Sequence, residues 1–366
     1  MTQADLTDKA RQTREGEQLD AARVEQFLKD SIKGLSGPIS INQFPSGHSN
    51  LTYLVSVGDR QLVLRRPPFG KKAKTAHDMG REFRILSALH PVFPYCPKPL
   101  AYTEDPSVMG CPFYVMERIS GIILRKDLPK GLELAPKQAE ALCRELMDIH
   151  IKLHKLDYKA IGLGDFGKPQ GYVDRQVDGW SRRYRDARTP DAPDYEDIMA
   201  WLDRNRPVGQ TRAAVIHGDY KFDNVVLDPQ NPLKIIGVLD WEMATIGDPL
   251  MDLGCSLAYW VQKDDPAEVE KIRMMPTNIE GAMTRLELVD YYRQQTGLTV
   301  DNWPFYFTFG LFRLAVIAQQ IYYRFYHGQT KDKRFAMMIF AAHIRALKNL
   351  RTDYGVTLHH QPFLGG

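Results

Sequence analysis

The chain has 366 residues, 43% hydrophobic and 25% charged, which suits one large or two moderate globular domains. A net charge of +3 is too small to argue for nucleic acid or an anionic membrane as partner. Cys96, Cys111, Cys143 and Cys255 show no Cys-x-x-Cys spacing, which argues against a disulfide framework or a zinc ribbon and fits a reducing compartment. The first twenty residues are too charged for a signal peptide. The most apolar stretch, 303–323, is interrupted by Arg313, Gln319 and Gln320, so it reads as a buried helix rather than a membrane span. These features predict a soluble, cytoplasmic protein.

Residues 1–18 are polar and expected to be loose. Over 19–33, Leu19, Val24, Phe27, Leu28 and Ile32 fall at spacings that suit an amphipathic helix. Strands are predicted over 39–44, 51–57 and 61–66, with Gly58-Asp59 as a hairpin turn between the last two. A helix over 77–89 is closed by Pro91 and Pro94, and short strands follow over 100–103 and 113–117. Composition changes after Gly121. Over 136–156, Leu142, Leu146, Ile149 and Leu153 share one helical face. Further on, a strand over 213–216, a polar loop, a strand over 224–227, turn residues 228–232 and a return strand over 233–239 are predicted. Asp248 is a good N-cap with Pro249 behind it, and helices are predicted over 249–261, 279–296, 304–327 and 332–351. The fold class is α+β: a small sheet lobe with one main helix (19–118), a hinge (119–122), a larger, mostly helical lobe (123–352) and a tail (353–366).

The chemistry concentrates in 215–254, VIHGDYKFDNVVLDPQNPLKIIGVLDWEMATIGDPLMDLG. Moving a phosphoryl group needs an acceptor hydroxyl held in line and a divalent metal to neutralise the phosphates. Mg²⁺ prefers oxygen ligands and keeps several waters, so a carboxylate and an amide oxygen suffice. Asp219 is placed to orient the acceptor and take its proton. Asn224 and Asp240, brought together by the hairpin, are placed to hold metal. Taken singly, each would more often be a turn residue; at these spacings and beside these strands they form a set. In the first lobe, Gly47, His48, Ser49 and Asn50 sit in a small polar turn that can offer N–H groups to phosphates. No Gly-x-x-x-x-Gly-Lys-Ser/Thr string exists, which disfavours a Walker-type ATPase. His150 and His154, four apart on a helix, read as structural rather than as a metal pair, because no third ligand is evident.

His217-Gly218-Asp219 and Asp240-Trp241-Glu242 resemble the catalytic-loop opening and metal motif of the kinase-like fold, in the version found in aminoglycoside and choline kinases. The resemblance covers most of 39–345. It implies a bilobal protein-kinase-like fold, with ATP and Mg²⁺ as cofactors. It places Lys221, which resembles the lysine of protein kinases, beside the γ-phosphate; a surface loop lysine is the alternative. It also implies an ion pair between a third-strand cation and a helix glutamate, here Arg65 and Glu82. This chain has arginine where most kinases have lysine. Arg66 competes for that role, and strand alternation sets one of the two inward and the other outward. Met116, Glu117 and Ile119 fall in the strand and hinge that receive adenine.

The strings FPSGHSNLTY, LVLRRPP, HDMGREFRILSALHPVF, YVMERISGIILR and HGDYKFDN resemble one subgroup, the kinase-like domain fused to some acyl-CoA dehydrogenases together with stand-alone bacterial relatives. That resemblance implies phosphorylation of a hydroxyacyl-CoA, a 4-hydroxyacyl-CoA in particular, for a separate acyl-CoA dehydrogenase-like partner enzyme. Arg182, Arg183 and Arg185 make the most basic segment of the second lobe. They read either as a site for an anionic acceptor such as a coenzyme A thioester or as a solvated helix face. Other readings are a kinase of another small hydroxylated metabolite or aminoglycoside, and a non-catalytic nucleotide-binding protein. A protein kinase is disfavoured, because a three-glycine loop and an Ala-Pro-Glu segment are absent from the sequence.

Overall fold

The computed structural model describes residues 6–45, 50–69, 78–209 and 212–329. Gly47, His48 and Ser49, and the helix expected over 332–351, lie outside the described residues. The first lobe runs α1 (Ala21–Ser31), β1 (Ile39–Gln43), β2 (Leu51–Val57), β3 (Arg60–Arg66), α2 (Met79–Leu89), β4 (Pro99–Thr103), the short α3 (Pro106–Met109) and β5 (Phe113–Glu117). Its five strands form one antiparallel sheet in the order β1-β2-β3-β5-β4. The β2–β3 turn at Gly58-Asp59 fixes the register, Val57 against Arg60 and Leu51 against Arg66.

That register decides which face each side chain meets, because successive strand residues point to opposite faces. Leu62 and Leu64 of β3 join Val24 and Leu28 of α1, Tyr53 and Val55 in one core. Val63 faces the other way, into the core shared with α2 and the second lobe. Arg65 follows Val63 and Arg66 follows Leu64. The two arginines take opposite faces of β3, as alternation predicts, and both are buried. Arg66 lies over the ring of Phe69, 3.7 Å from its centroid, and its Nε donates to the Pro67 carbonyl.

Residues 6–18, expected to be loose, are tied to the sheet edge and hinge. Arg11 pairs with Gln43, Asp8 N donates to Gly121 O at 3.0 Å, and Tyr53 Oη donates to Glu17 O. Beyond the hinge, Ile122 and Leu227 exchange backbone hydrogen bonds of 2.9 and 2.8 Å, joining the linker to the catalytic hairpin.

The second lobe contains α4 (Pro136–His154), α5 (Tyr172–Ala187), α6 (Glu196–Arg204), then the short strands β6 (Ala214–Ile216), β7 (Val225–Leu227), β8 (Ile235–Val238) and β9 (Thr245–Gly247). It closes with α7 (Pro249–Ala258), α8 (Ala267–Lys271), α9 (Arg285–Thr296) and α10 (Trp303–Tyr326). β7 pairs with β8 as predicted, while β6 pairs with β9, a strand not anticipated. α9 begins at 285 rather than 279 because Thr284 and Glu287 close a capping box there. α7 and α10 cross closely: a Cβ on Gly254 would lie 2.3 Å from Tyr306 O, and one on Gly310 would lie 2.3 Å from Gly254 O. Among the described residues no helix is long and apolar enough to cross a membrane.

Asp248 caps α7 through Oδ1, which accepts from Leu250 N at 2.8 Å and Met251 N at 3.1 Å. Its Oδ2 is buried without a partner, and burial pushes the carboxyl up to about 6. An acid raised in the folded state binds more protons there than in the unfolded chain, so stability falls as pH rises from about 4 through 6. Asp248→Asn keeps the cap and removes this titration. Its stability relative to wild type should therefore be greater at pH 8 than at pH 5, by about 1–3 kcal/mol in urea unfolding. A difference that does not change with pH would contradict the assignment.

Candidate active site

β6 leads directly into His217-Gly218-Asp219. Gly218 has φ +81°, and a Cβ there would meet Met243 O at 2.8 Å, so glycine is required for the turn. The loop is held from beneath by Asp252 of α7. Its Oδ1 accepts from Gly218 N at 2.8 Å and its Oδ2 from His217 N at 2.9 Å. His150 Nε2 at 2.9 Å and His154 Nε2 at 3.1 Å donate to the same Oδ2, and the Tyr292 hydroxyl sits 2.9 Å from His154 Nδ1. Burial and the neighbouring His154 push His150 down to about 4, so it donates as a neutral imidazole. Burial would raise the Asp252 carboxyl, but its hydrogen bonds to His150 and His154 outweigh this and hold it well below the usual range. The sequence showed no third group beside the two histidines; the structure supplies one. With both oxygens of Asp252 engaged by N–H donors, the trio forms a post under the catalytic loop.

His217 is buried and packs at a tilt against Trp241, ring centroids 4.8 Å apart. Its Nε2 donates to Leu239 O at 2.9 Å and its Nδ1 accepts from Asp219 N at 3.2 Å. Tyr220 is pinned through its hydroxyl to Leu146 O and through its carbonyl to Ser256 Oγ. The carboxylate of Asp219 pairs with Lys221 Nζ and accepts from Asn224 Nδ2 at 3.0 Å. Lys221 is not a surface lysine. It is buried over the ring of Tyr259, 4.7 Å from the centroid, with Asp223 Oδ1 at 3.6 Å. Burial would lower its ammonium, but Tyr259, Asp219 and Asp223 hold it above its ordinary value.

Leu239 N donates to Asn224 O at 2.8 Å, which sets Asp240 beside Asn224. Asp240 has φ +67°, a conformation costly for a non-glycine residue and tolerated best by Asp and Asn. Arg65 joins this hairpin to the first lobe. Its Nη1 lies 2.8 Å from Glu82 Oε1, and its Nη2 lies 2.9 Å from Asp240 Oδ1 and 3.3 Å from Glu242 Oε2. Burial would lower the guanidinium, but Glu82, Tyr114 and Asp240 raise it well above its ordinary value. Burial likewise raises Asp240, and Arg65 more than reverses it. Glu242 also accepts from Asn50 Nδ2 at 2.8 Å. The sequence motif contained Glu242, but only the fold shows its carboxylate turned toward the cleft.

Asn50, Arg65, Met116, Glu117, Ile119, Asp219, Lys221, Asn224, Asp240 and Glu242 line one cleft of about 430 Å³ between the lobes. The basic segment is divided. Arg185 pairs with Glu196 at 2.6 Å, and Arg182 and Arg185 line a separate surface depression with Asp203 and Arg206. Arg183 stacks on Trp180 instead.

The chain matches the model of the phosphotransferase enzyme family over residues 40–286. It belongs to that family. Mouse acyl-CoA dehydrogenase family member 10 is 37% identical over 312 residues, which is 83% of this chain and 29% of that protein. The chain thus spans under a third of that relative's length. A Ralstonia eutropha crystal structure assigned as an aminoglycoside phosphotransferase is 30% identical, with a TM-score of 0.77 over 91% of this chain and 98% of that one. The aminoglycoside phosphotransferase APH(4)-Ia, in a ternary complex with ADP and hygromycin B, shares the fold alone, with 14% identity and a TM-score of 0.57 over 91% and 99%. Family and architecture together make this chain a small-molecule phosphotransferase on a protein-kinase-like fold.

Arg65→Ala strands Glu82, which is 2% exposed. Breaking such a buried pair costs about 3–5 kcal/mol. Arg65→Ala should therefore lower stability by that order, and adding Glu82→Gln should recover part of it. Urea unfolding of the two single variants and the double variant tests the coupling; strictly additive losses would contradict it.

Proposed function

We propose that the chain transfers the γ-phosphoryl group of ATP to a hydroxyl of a hydroxyacyl-CoA, a 4-hydroxyacyl-CoA in particular. The observation that carries the transfer reaction is the convergence of Asp219, Asn224, Asp240 and Glu242 in one cleft, which Met116, Glu117 and Ile119 also line. Bound ADP in the fold neighbour APH(4)-Ia supports a nucleotide in this cleft. The acyl-CoA acceptor is supported by the acyl-CoA dehydrogenase name of the mouse relative. On this reading, the new phosphate is a leaving group for a separate acyl-CoA dehydrogenase-like partner enzyme.

Asp219 orients the acceptor hydroxyl and takes its proton as the oxygen attacks phosphorus. Lys221, held between Asp219 and Tyr259, opposes the negative charge of the moving phosphoryl group. Arg65 reaches the phosphates from the first lobe, with Glu82 fixing its position. Met116, Glu117 and Ile119 offer backbone groups to the adenine edge, and Asn50 closes the phosphate side. Asp240, Glu242 and the amide oxygen of Asn224 present a hard-oxygen donor set that fits Mg²⁺. Asn224 meets Asp219 through its NH₂, which leaves its oxygen available. Magnesium held there would neutralise charge on the β- and γ-phosphates.

Incubation with Mg-ATP and a panel of hydroxyacyl-CoAs, free hydroxy acids, choline and aminoglycosides tests the acceptor. The expected product is a hydroxyacyl-CoA heavier by about 80 Da, one phosphoryl group. Mass gain on choline or an aminoglycoside alone would overturn the acyl-CoA reading. Asp219→Asn should retain nucleotide binding and lose turnover by on the order of a hundredfold or more. Near-normal turnover would remove Asp219 from the mechanism. Asp240→Ala should abolish transfer even at high Mg²⁺, and activity retained at low Mg²⁺ would contradict the metal site.

A further inference from the structure

The segment 8–17 lies ahead of the residues matched by the family model, yet it is built into the first lobe. Arg11 and Gln43 exchange backbone hydrogen bonds of 2.8 Å each. Gln43, only 3% exposed, accepts from Arg14 N through its side-chain oxygen and donates to the Glu17 carboxylate through its Nε2. At the start of the segment, Asp8 N donates to Gly121 O at 3.0 Å, and Arg118 Nη2 donates to Asp8 O at 2.7 Å. Arg118 Nη1 donates in turn to Gln61 Oε1 of β3. Both hinge contacts use the Asp8 backbone, not its carboxylate.

Asp8 lines the same cleft as Asp219, Asn224 and Asp240. Gly121, which holds it, is two residues past Ile119, at the end of the cleft assigned to adenine. Asp8 Oδ1 lies 3.7 Å from Arg125 Nη2, and Arg125 Nη1 donates to Asp223 O at 3.4 Å, next to Asn224. Asp8 and Arg125 therefore run from the hinge to the catalytic loop, between the groups assigned to adenine and those assigned to phosphate. The part of a nucleotide that lies between base and phosphates is the ribose, which is neutral and offers two adjacent hydroxyls as donors. A carboxylate accepts at about four positions on its two oxygens. The Arg125 contact is longer than the about 2.7–2.9 Å of a charge-assisted hydrogen bond, so it does not saturate them. A carboxylate placed against the phosphates would instead meet like charge.

We propose that Asp8 is a specificity-determining residue whose carboxylate accepts hydrogen bonds from the 2′- and 3′-hydroxyls of the nucleotide ribose, so that segment 8–17 forms one wall of the nucleotide site. The inference rests on the reading of this cleft as an ATP site. It gives the enzyme a preference for ribonucleotides over their deoxy counterparts, supplied by a residue outside the part of the chain that the family model matches.

Titration calorimetry of the full chain with Mg²⁺ and ATP, 2′-deoxy-ATP or 3′-deoxy-ATP tests this without any acceptor, and so independently of which hydroxyl compound is phosphorylated. Wild type should bind ATP about tenfold more tightly than either deoxynucleotide, the effect of losing a hydrogen bond to a charged group. Asp8→Ala should weaken ATP binding by about tenfold or more and bring the three nucleotides within about twofold of one another. Asp8→Asn keeps one acceptor oxygen and should recover part of the loss. A wild type that binds the three nucleotides alike would overturn the inference. So would an Asp8→Ala variant that binds ATP as wild type does, or one that weakens all three by the same factor, as a merely structural role would. Should Asp8→Ala fail to fold, Asp8→Asn decides: a preference for ATP over the deoxynucleotides as large as in wild type overturns the inference, and a smaller one supports it. A wild type that binds no ATP overturns the proposed function, and this inference with it.

Discussion

The Arg65 guanidinium joins the two halves of the site. One side of its fork holds Glu82 of α2, and the other holds Asp240 and Glu242 of the second lobe. Three acids around one buried cation tie β3, α2 and the catalytic hairpin into a single electrostatic unit. Arginine suits this better than lysine, because its planar fork meets several carboxylates at once and loses less freedom per hydrogen bond. The departure from the usual kinase lysine is therefore no sign of a dead site. It replaces a point charge by a bridge, and the same planar fork can turn toward phosphate.

A second constraint acts from below. The catalytic loop hangs from one buried carboxylate, Asp252, which holds the backbone N–H groups of His217 and Gly218 while His150 and His154 fill its remaining acceptor positions. Gly218 takes its positive φ freely, whereas the positive φ of Asp240 is a local cost. The surrounding packing of Tyr220, Trp241 and α7 maintains both conformations. Asp219 and Asp240 thus stand on rigid supports, as a reaction that depends on positioning requires.

Much of this was legible in the chain. The Gly58-Asp59 turn and the period of two placed Arg65 and Arg66 on opposite faces of β3. The resemblance to kinases then singled out Arg65 as the partner of Glu82. Asp248-Pro249 marked the start of α7. Other features depend on contacts distant in sequence. Asp252 reads as an ordinary helix residue until the fold brings α4 and the catalytic loop to it. The three-residue strand β9 has too little pattern to be read without its partner β6. Residues 6–18 look loose by composition, but their backbone groups find the edge of the sheet. The basic segment divides for a simpler reason. Positions 182 and 185 are three apart and share a helical face, whereas Arg183 lies over the ring of Trp180.

The central proposal is that Arg65, fixed by Glu82, reaches the phosphates of the nucleotide while Asp240 and Asn224 hold the metal. A crystal structure of the complex with Mg²⁺ and a non-hydrolysable ATP analogue tests this most directly. The account predicts Arg65 still paired with Glu82 but turned to the phosphates, with Asp240 and Asn224 oxygens on the metal. An analogue bound in the cleft while Arg65 keeps both Asp240 and Glu242, with the metal held elsewhere, would contradict it.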